Sequence, residues 1–203
     1  MSSETQQPVN SQKNDSVTLA IAHLLNTLVH KTKQHTGSLP RMEIDDSLPD
    51  REQSPAFVSK VEQTKIEWLP APNGDVNLFD DLERGLELTL HHDLKQFYGA
   101  FWSEGICCQS GQGLIRLIQI WNETDLDLLR ENLLGHAFMK TKKRQPLTFF
   151  FGLGDGETIL TLENDTGCVY MEIPGQRPHL RLANNLTAFL CSLEVTLLPY
   201  GPS

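Results

Sequence analysis

The second half of the chain repeats a pattern of strands and turns, and this pattern most limits the folds available. Short apolar runs are separated by turn sequences at Gly111–Gly113, at Asp155-Gly156 and at residues 164–167. Such turns join neighbouring antiparallel strands into hairpins. Other segments place apolar residues every three or four positions, as amphipathic helices do. The sequence therefore predicts an α+β fold, with a mostly antiparallel or mixed sheet and helices packed against it.

Capping and breaking residues delimit the predicted helices. The first begins at Asp15 or Ser16 and ends before Gly37. The second covers residues 78–98, with a break at Gly85 or a new cap at Asp93. The third begins after Asn122, whose side chain can cap it, and ends before Pro146. The last lies near residues 184–193.

The two remaining segments of the N-terminal third are polar. Residues 1–15 are rich in Ser, Gln and Asn and are predicted to be a disordered tail. Residues 37–62 contain Pro40, Pro49 and Pro55 and are predicted to form an irregular surface loop. Residues 16–203 are predicted to form a single domain.

Charge and apolar content exclude several classes of protein. The 203 residues carry 17 basic and 26 acidic side chains, a net charge of −9, whereas nucleic-acid binders present a basic face. Apolar runs are too short to cross a bilayer, and the N-terminus has no signal-peptide core. No C-x-x-C pair is present, so zinc and redox motifs are absent. Because no signal for secretion is found, we expect Cys107, Cys108, Cys168 and Cys191 to be reduced thiols in the cytosol.

The chain carries no recognisable catalytic motif, metal site or cofactor site. The glycine-rich stretch at residues 152–156 is predicted to be a hairpin turn, since a strand rather than a helix follows it. His91 and His92 are adjacent on a helix and cannot chelate one ion together. His136 is either a hydrogen-bonded structural residue or, as a rival hypothesis, the base of an enzyme using a nearby carboxylate.

Acidic residues are concentrated in two stretches of the chain. Residues 75–104 contain seven acidic and two basic residues, and residues 145–176 contain five acidic and no basic ones, a net charge of −5 in each. One interpretation is a solvated face that maintains solubility. The other is an electronegative concave surface that attracts basic segments. Trp121 is either a core residue or a cation–π partner beside Glu123 and Asp125.

Several ordered motifs resemble the Syd family of SecY-interacting proteins, in the SUKH superfamily. The first motif is Trp-x-Glu-x-Asp from Trp121, followed by Glu-Asn-Leu-x-Gly-His at residues 131–136 and a basic run. Pro146 and a Phe-rich strand come next, and Leu-Ala-x-Asn-Leu closes the pattern at residues 182–186. The likeness extends over most of residues 65–198.

The resemblance implies a SUKH-like fold and a non-enzymatic protein attached peripherally to the cytoplasmic face of the bacterial inner membrane. Its partner would be SecY, whose basic cytosolic loops would meet an acidic concave surface, and its role would be to monitor the translocon. No nucleic acid, small-molecule substrate or cofactor is implied. The alternative within the superfamily is a toxin-immunity protein that inhibits a nuclease. The residues predicted to bind the partner are Glu83, Glu104, Trp121, Glu123, Asp125, Glu131 and Glu163.

Overall fold

The computed structural model describes residues 16–44, 50–75 and 77–197. The helices in these ranges are α1 Ser16–Thr36, α2 Asp80–Leu86, α3 His92–Gly99, α4 Glu123–Lys142 and α5 Leu186–Cys191. The strands are β1 Arg41–Glu43, β2 Phe57–Glu62, β3 Lys65–Trp68, β4 Ala71–Pro72, β5 Phe101–Trp102, β6 Ile106–Ser110, β7 Gly113–Leu117, β8 Thr148–Leu153, β9 Ile159–Glu163, β10 Val169–Glu172, β11 Leu180–Ala183 and β12 Glu194–Val195. The fold is the predicted α+β mixture. The predicted tail, residues 1–15, lies outside the described residues.

Local sequence accounts for the helix boundaries. The Asn122 side chain accepts a hydrogen bond from the Asp125 N–H at 3.0 Å and caps α4. Asn185 caps α5 in the same way through the Ala188 N–H, at 2.8 Å. The predicted break after Gly85 is present, because α2 ends at Leu86 and α3 begins six residues later.

Seven strands form the main sheet, in the order β11-β10-β9-β8-β7-β6-β12, and all of their pairings are antiparallel. Hairpins connect β6 to β7, β8 to β9, and β9 to β10, as the turn sequences predicted. The apolar run from Leu114 to Trp121 predicts one strand, but β7 covers only its first part. It ends at Leu117, and Ile120 makes only an isolated bridge with Trp102.

Helices cover both faces of this sheet. Successive strand residues point to opposite faces, and the Phe151 ring contacts Phe97 of α3 and Phe189 of α5. The neighbouring Phe150 ring contacts His136 of α4 on the other face. Helix α1 packs with α3 and α5 and also contacts β6. The main core therefore lies between the sheet and α1, α3 and α5, and α4 covers the opposite face beside β8.

The prediction of an irregular loop over residues 37–62 was wrong. Strands β1, β3 and β2 form a three-stranded antiparallel sheet, and a short 3₁₀ helix, Arg51–Gln53, precedes β2. The prolines misled the prediction, since Pro40 and Pro55 both lie just outside the strands. The buried Ile66 and Trp68 of β3 attach this small sheet to the hydrophobic core.

Candidate functional site

A cavity of about 750 Å³ opens between the small sheet, the main sheet and the start of α4. We call it the larger cavity. Its floor includes Cys107, Arg116 and Leu153, which are cross-strand neighbours on β6, β7 and β8. Arg116 alternates along β7 with the buried Ile115 and Leu117, so the floor belongs to the sheet face opposite the main core.

Ion pairs line the walls of the larger cavity. Arg51 Nη1 lies 2.8 Å from Asp125 Oδ2, and Arg116 Nη2 pairs with Glu104 Oε1. Arg41 Nη2 lies 3.1 Å from Oε1 of Glu67. These side chains are partly shielded from solvent, so their mutual attraction is screened less than that of fully exposed pairs.

The lining contains equal numbers of acidic and basic side chains. Its carboxylates belong to Glu43, Glu104 and Asp125, and its guanidinium groups belong to Arg41, Arg51 and Arg116. Its formal charge is therefore zero, although the whole chain carries −9. The cavity is a surface of alternating charges rather than a uniformly acidic one.

The wall formed by residues 50–54 is fastened to the start of α4 by hydrogen bonds to main-chain carbonyls. Trp121 Nε1–H donates to the Arg51 carbonyl at 2.8 Å, and Asn122 Nδ2 donates to the Asp50 carbonyl at 3.0 Å. In return, Ser54 Oγ donates to the Trp121 carbonyl. Arg51 is thereby held where its guanidinium group meets Asp125.

Three of the predicted binding residues line the larger cavity: Glu104, Trp121 and Asp125. Glu104 also accepts a hydrogen bond from the Gly105 N–H at 2.9 Å. Trp121 is 1% exposed and its ring packs edge-on against Trp68, with centroids 6.2 Å apart. It is thus mainly a core residue, which leaves only a small part of its surface to face the cavity.

Two further predicted residues lie on the outer face of α4. Glu123 and Glu131 are exposed, as is Asp127 between them. Because the three are spaced four residues apart, they form one row along the helix. Asp125 is two positions from both Glu123 and Asp127, which places it about 200° around the helix from them. The row therefore lies on a different side of α4 from the larger cavity.

Glu83 and Glu163 do not line the larger cavity and have local hydrogen-bonding roles. Glu83 Oε1 accepts from the Leu90 N–H at 2.8 Å and from Lys95 Nζ at 2.7 Å, which stabilises the connection between α2 and α3. Glu163 Oε2 accepts from Thr166 Oγ1 at 2.6 Å within the turn after β9. That the seven residues act together in binding stays a prediction.

Sequence reasoning missed the three arginines of the larger cavity. Charges were counted along the chain, and Arg41, Arg51 and Arg116 all lie outside the two acidic stretches. Arg51 meets Asp125 across 74 positions of sequence, a separation that no local window covers. The sequence did contain a signal for Arg116. This residue is charged, although the rest of β7 is apolar or glycine, and it could have indicated a polar site on that face of the strand.

His136 lies in a buried polar cluster under α4. Its Nε2 is 3.2 Å from Thr148 Oγ1, and the Glu172 carboxylate accepts from the Lys140 ammonium at 2.7 Å. Burial, and next the Lys140 charge, lower the pKa of His136 to about 4. Burial raises the pKa of Glu172, and Lys140 and Thr148 oppose that shift. These contacts join α4 to β8 and β10. They favour the interpretation of His136 as a hydrogen-bonded structural residue.

Among the described residues, no group of three or more His, Cys, Asp or Glu side chains is placed to hold a metal ion. Within the same ranges, no helix combines the length and apolar character needed to cross a membrane.

Together, the fold and the site define an α+β protein with a surface cavity lined by paired charges. The family model described as Syd protein (SUKH-2) matches residues 18–195. The chain belongs to the Syd family.

Curated relatives agree with this family. A protein from Hahella chejuensis named Protein Syd is 42% identical over 185 residues, which cover 91% of this chain and 96% of the relative. Proteins of the same name from Shewanella loihica and Pseudoalteromonas atlantica are 38% and 37% identical, over 68% and 76% of this chain and over 63% and 83% of those relatives.

Proposed function

We propose that this protein binds the basic cytosolic loops of SecY and so docks peripherally on the cytoplasmic face of the bacterial inner membrane. It acts as a binding protein rather than an enzyme, and its bound state monitors assembly of the translocon. The single observation that carries this proposal is the larger cavity, in which Glu104 and Asp125 lie together in a chain of the Syd family.

The paired carboxylates of the larger cavity retain capacity for a second cation. A carboxylate has two oxygens and about four lone-pair directions, whereas Asp125 and Glu104 each pair with one arginine. A lysine or arginine of a partner can therefore join each pair without displacing the resident guanidinium group. The exposed row of Glu123, Asp127 and Glu131 lies on another side of α4 and contributes only to the long-range attraction of a basic partner.

Several such contacts must act together, because an exposed ion pair contributes only about 0.2–1 kcal/mol. Electrostatic attraction between exposed groups falls off beyond about 10 Å at moderate salt. We therefore expect SecY binding to weaken steeply as salt is raised. The resident arginines make the effect of removing the acids larger, since the larger cavity would then present uncompensated positive charge.

Capture of SecY from solubilised inner membranes, at low and at high salt, tests the proposal. The test variant combines Glu104→Gln with Asp125→Asn, which removes both paired acids while retaining their size. The matched control combines Glu157→Gln with Asp165→Asn, which removes two exposed carboxylates outside the larger cavity. We expect capture by the test variant to fall at least tenfold and capture by the control to match that of the unaltered protein. Salt-insensitive capture that survives the test variant would refute the electrostatic account.

A further inference from the structure

A second cavity of about 320 Å³ adjoins the larger one. The two share Arg41, Glu104, Gly105 and Cys107 in their linings, so they meet at these residues, and we call the pair of cavities the groove. The smaller cavity lies between the end of α1 and the segment after β12. Its lining is more apolar than that of the larger cavity and includes Leu28, Pro40, Trp68 and Leu197.

Some residues that line the two cavities carry a buried polar atom that has no hydrogen-bond partner within the described part of the chain. In the larger cavity these atoms are Ser103 Oγ and Gln119 Oε1, and in the smaller one it is Trp68 Nε1. The three residues are at most 9% exposed. Buried polar groups are almost always satisfied in native proteins, so these unpaired atoms point to a ligand.

The unpaired atoms differ in chemistry, and the difference indicates what would satisfy them. Gln119 Oε1 accepts a hydrogen bond, Trp68 Nε1–H donates one, and the Ser103 hydroxyl does either. An extended polypeptide presents N–H donors and C=O acceptors in alternation along its length, and its side chains point alternately to either side. A groove with both kinds of unpaired group is thus suited to the main chain of an extended segment.

We propose that this groove recognises an extended segment in which a bulky apolar residue stands beside a basic one. The basic side chain enters the larger cavity near Glu104 and Asp125, and the apolar side chain enters the smaller cavity against Leu197. Trp68 Nε1–H donates to a carbonyl of the segment. This inference rests on the proposed function and adds an apolar requirement that charge alone would not impose.

Two labelled peptides that differ at one position test the inference by fluorescence anisotropy at low salt. The first is Gly-Lys-Leu-Lys-Arg-Gly, and the second has Ser in place of Leu. Burial of a leucine side chain predicts that the first binds at least about tenfold more tightly. Leu197→Ser should abolish most of this preference. The control Leu180→Ser, on β11, changes a leucine of similar exposure, 36% against 40%, and should retain it.

A second variant tests the main-chain contact. Trp68→Phe keeps an aromatic ring in the core but removes the N–H donor, and it should weaken both peptides about two- to tenfold, as expected for one lost hydrogen bond. The inference is overturned if the two peptides bind with equal affinity or if neither binds. If SecY capture is intact in that case, the proposed function still stands. Loss of SecY capture with the leucine preference intact would instead contradict the proposed function and support the inference about the groove.

Discussion

Lys140 is fully buried in the cluster beneath α4, and its removal provides the sharpest test of how that helix is held. Its ammonium donates to Glu172 Oε1 at 2.7 Å and to the Gln176 carbonyl at 2.9 Å. Lys140→Met replaces the side chain with an unbranched apolar one of similar length and leaves the Glu172 carboxylate buried without a cation.

The expected loss of stability is about 3–5 kcal/mol, because breaking a buried ion pair on one side leaves an uncompensated charge. This is a large fraction of the roughly 5–15 kcal/mol that stabilises a typical domain. Adding Glu172→Gln to Lys140→Met removes the second charge and leaves an amide that can still bond to Thr148. The double variant should therefore be more stable than either single variant, and the two substitutions should be strongly non-additive.

Urea unfolding at neutral pH, followed by circular dichroism, measures these free energies from the midpoint and slope of each transition. Lys142→Met is the matched control, since Lys142 is exposed in the last turn of the same helix. It should change stability by less than about 0.5 kcal/mol. A Lys140→Met protein within about 1 kcal/mol of the unaltered one, or additive effects in the double variant, would refute the reasoning.

Two further predictions concern α4. Folded His136 stays neutral down to a pKa of about 4, whereas the unfolded imidazole protonates near 6.5, so the unfolded state binds more protons between these values. The free energy of unfolding should fall by up to about 3 kcal/mol as the pH drops from 6.5 to about 4. In His136→Gln this fall should be smaller, which urea midpoints measured over the same pH range would show. Asn122→Ala should lower the free energy of unfolding by about 1 kcal/mol, because the helix cap is lost. Asn122→Asp should retain the cap and lose only the hydrogen bond to the Asp50 carbonyl. Thermal unfolding measures the stability of each variant, and SecY capture measures its binding.

Features set by neighbouring residues could be predicted from the sequence. The hairpin turns fixed the antiparallel order of β8, β9 and β10, and Asn122 fixed the start of α4, because the interactions concerned span only a few positions. The small sheet of β1, β2 and β3 was missed because proline content dominated the interpretation of that region.

Contacts between distant residues explain what the sequence did not reveal about the site. Lys140 was grouped with a basic run, although it follows His136 by four positions and Leu133 by seven and so lies on the buried stripe of α4. Its partner Glu172 is on β10, and two other strands, β8 and β9, lie between α4 and β10 in the sequence. Likewise, the arginines that neutralise the larger cavity are brought to it by tertiary structure, which charge counting along the chain does not represent.

The attachment of residues 50–54 to α4 depends on main-chain groups, whereas the charge of the binding surface depends on side chains. The side chains of Trp121 and Asn122 donate hydrogen bonds to the main-chain carbonyl oxygens of Arg51 and Asp50. A main-chain carbonyl is present whichever side chain the residue carries. Replacement of Arg51 during evolution would preserve the width of the opening while altering its charge. Relatives of this protein can therefore adapt to partners of different composition through single substitutions at this rim, without rebuilding the scaffold that supports it.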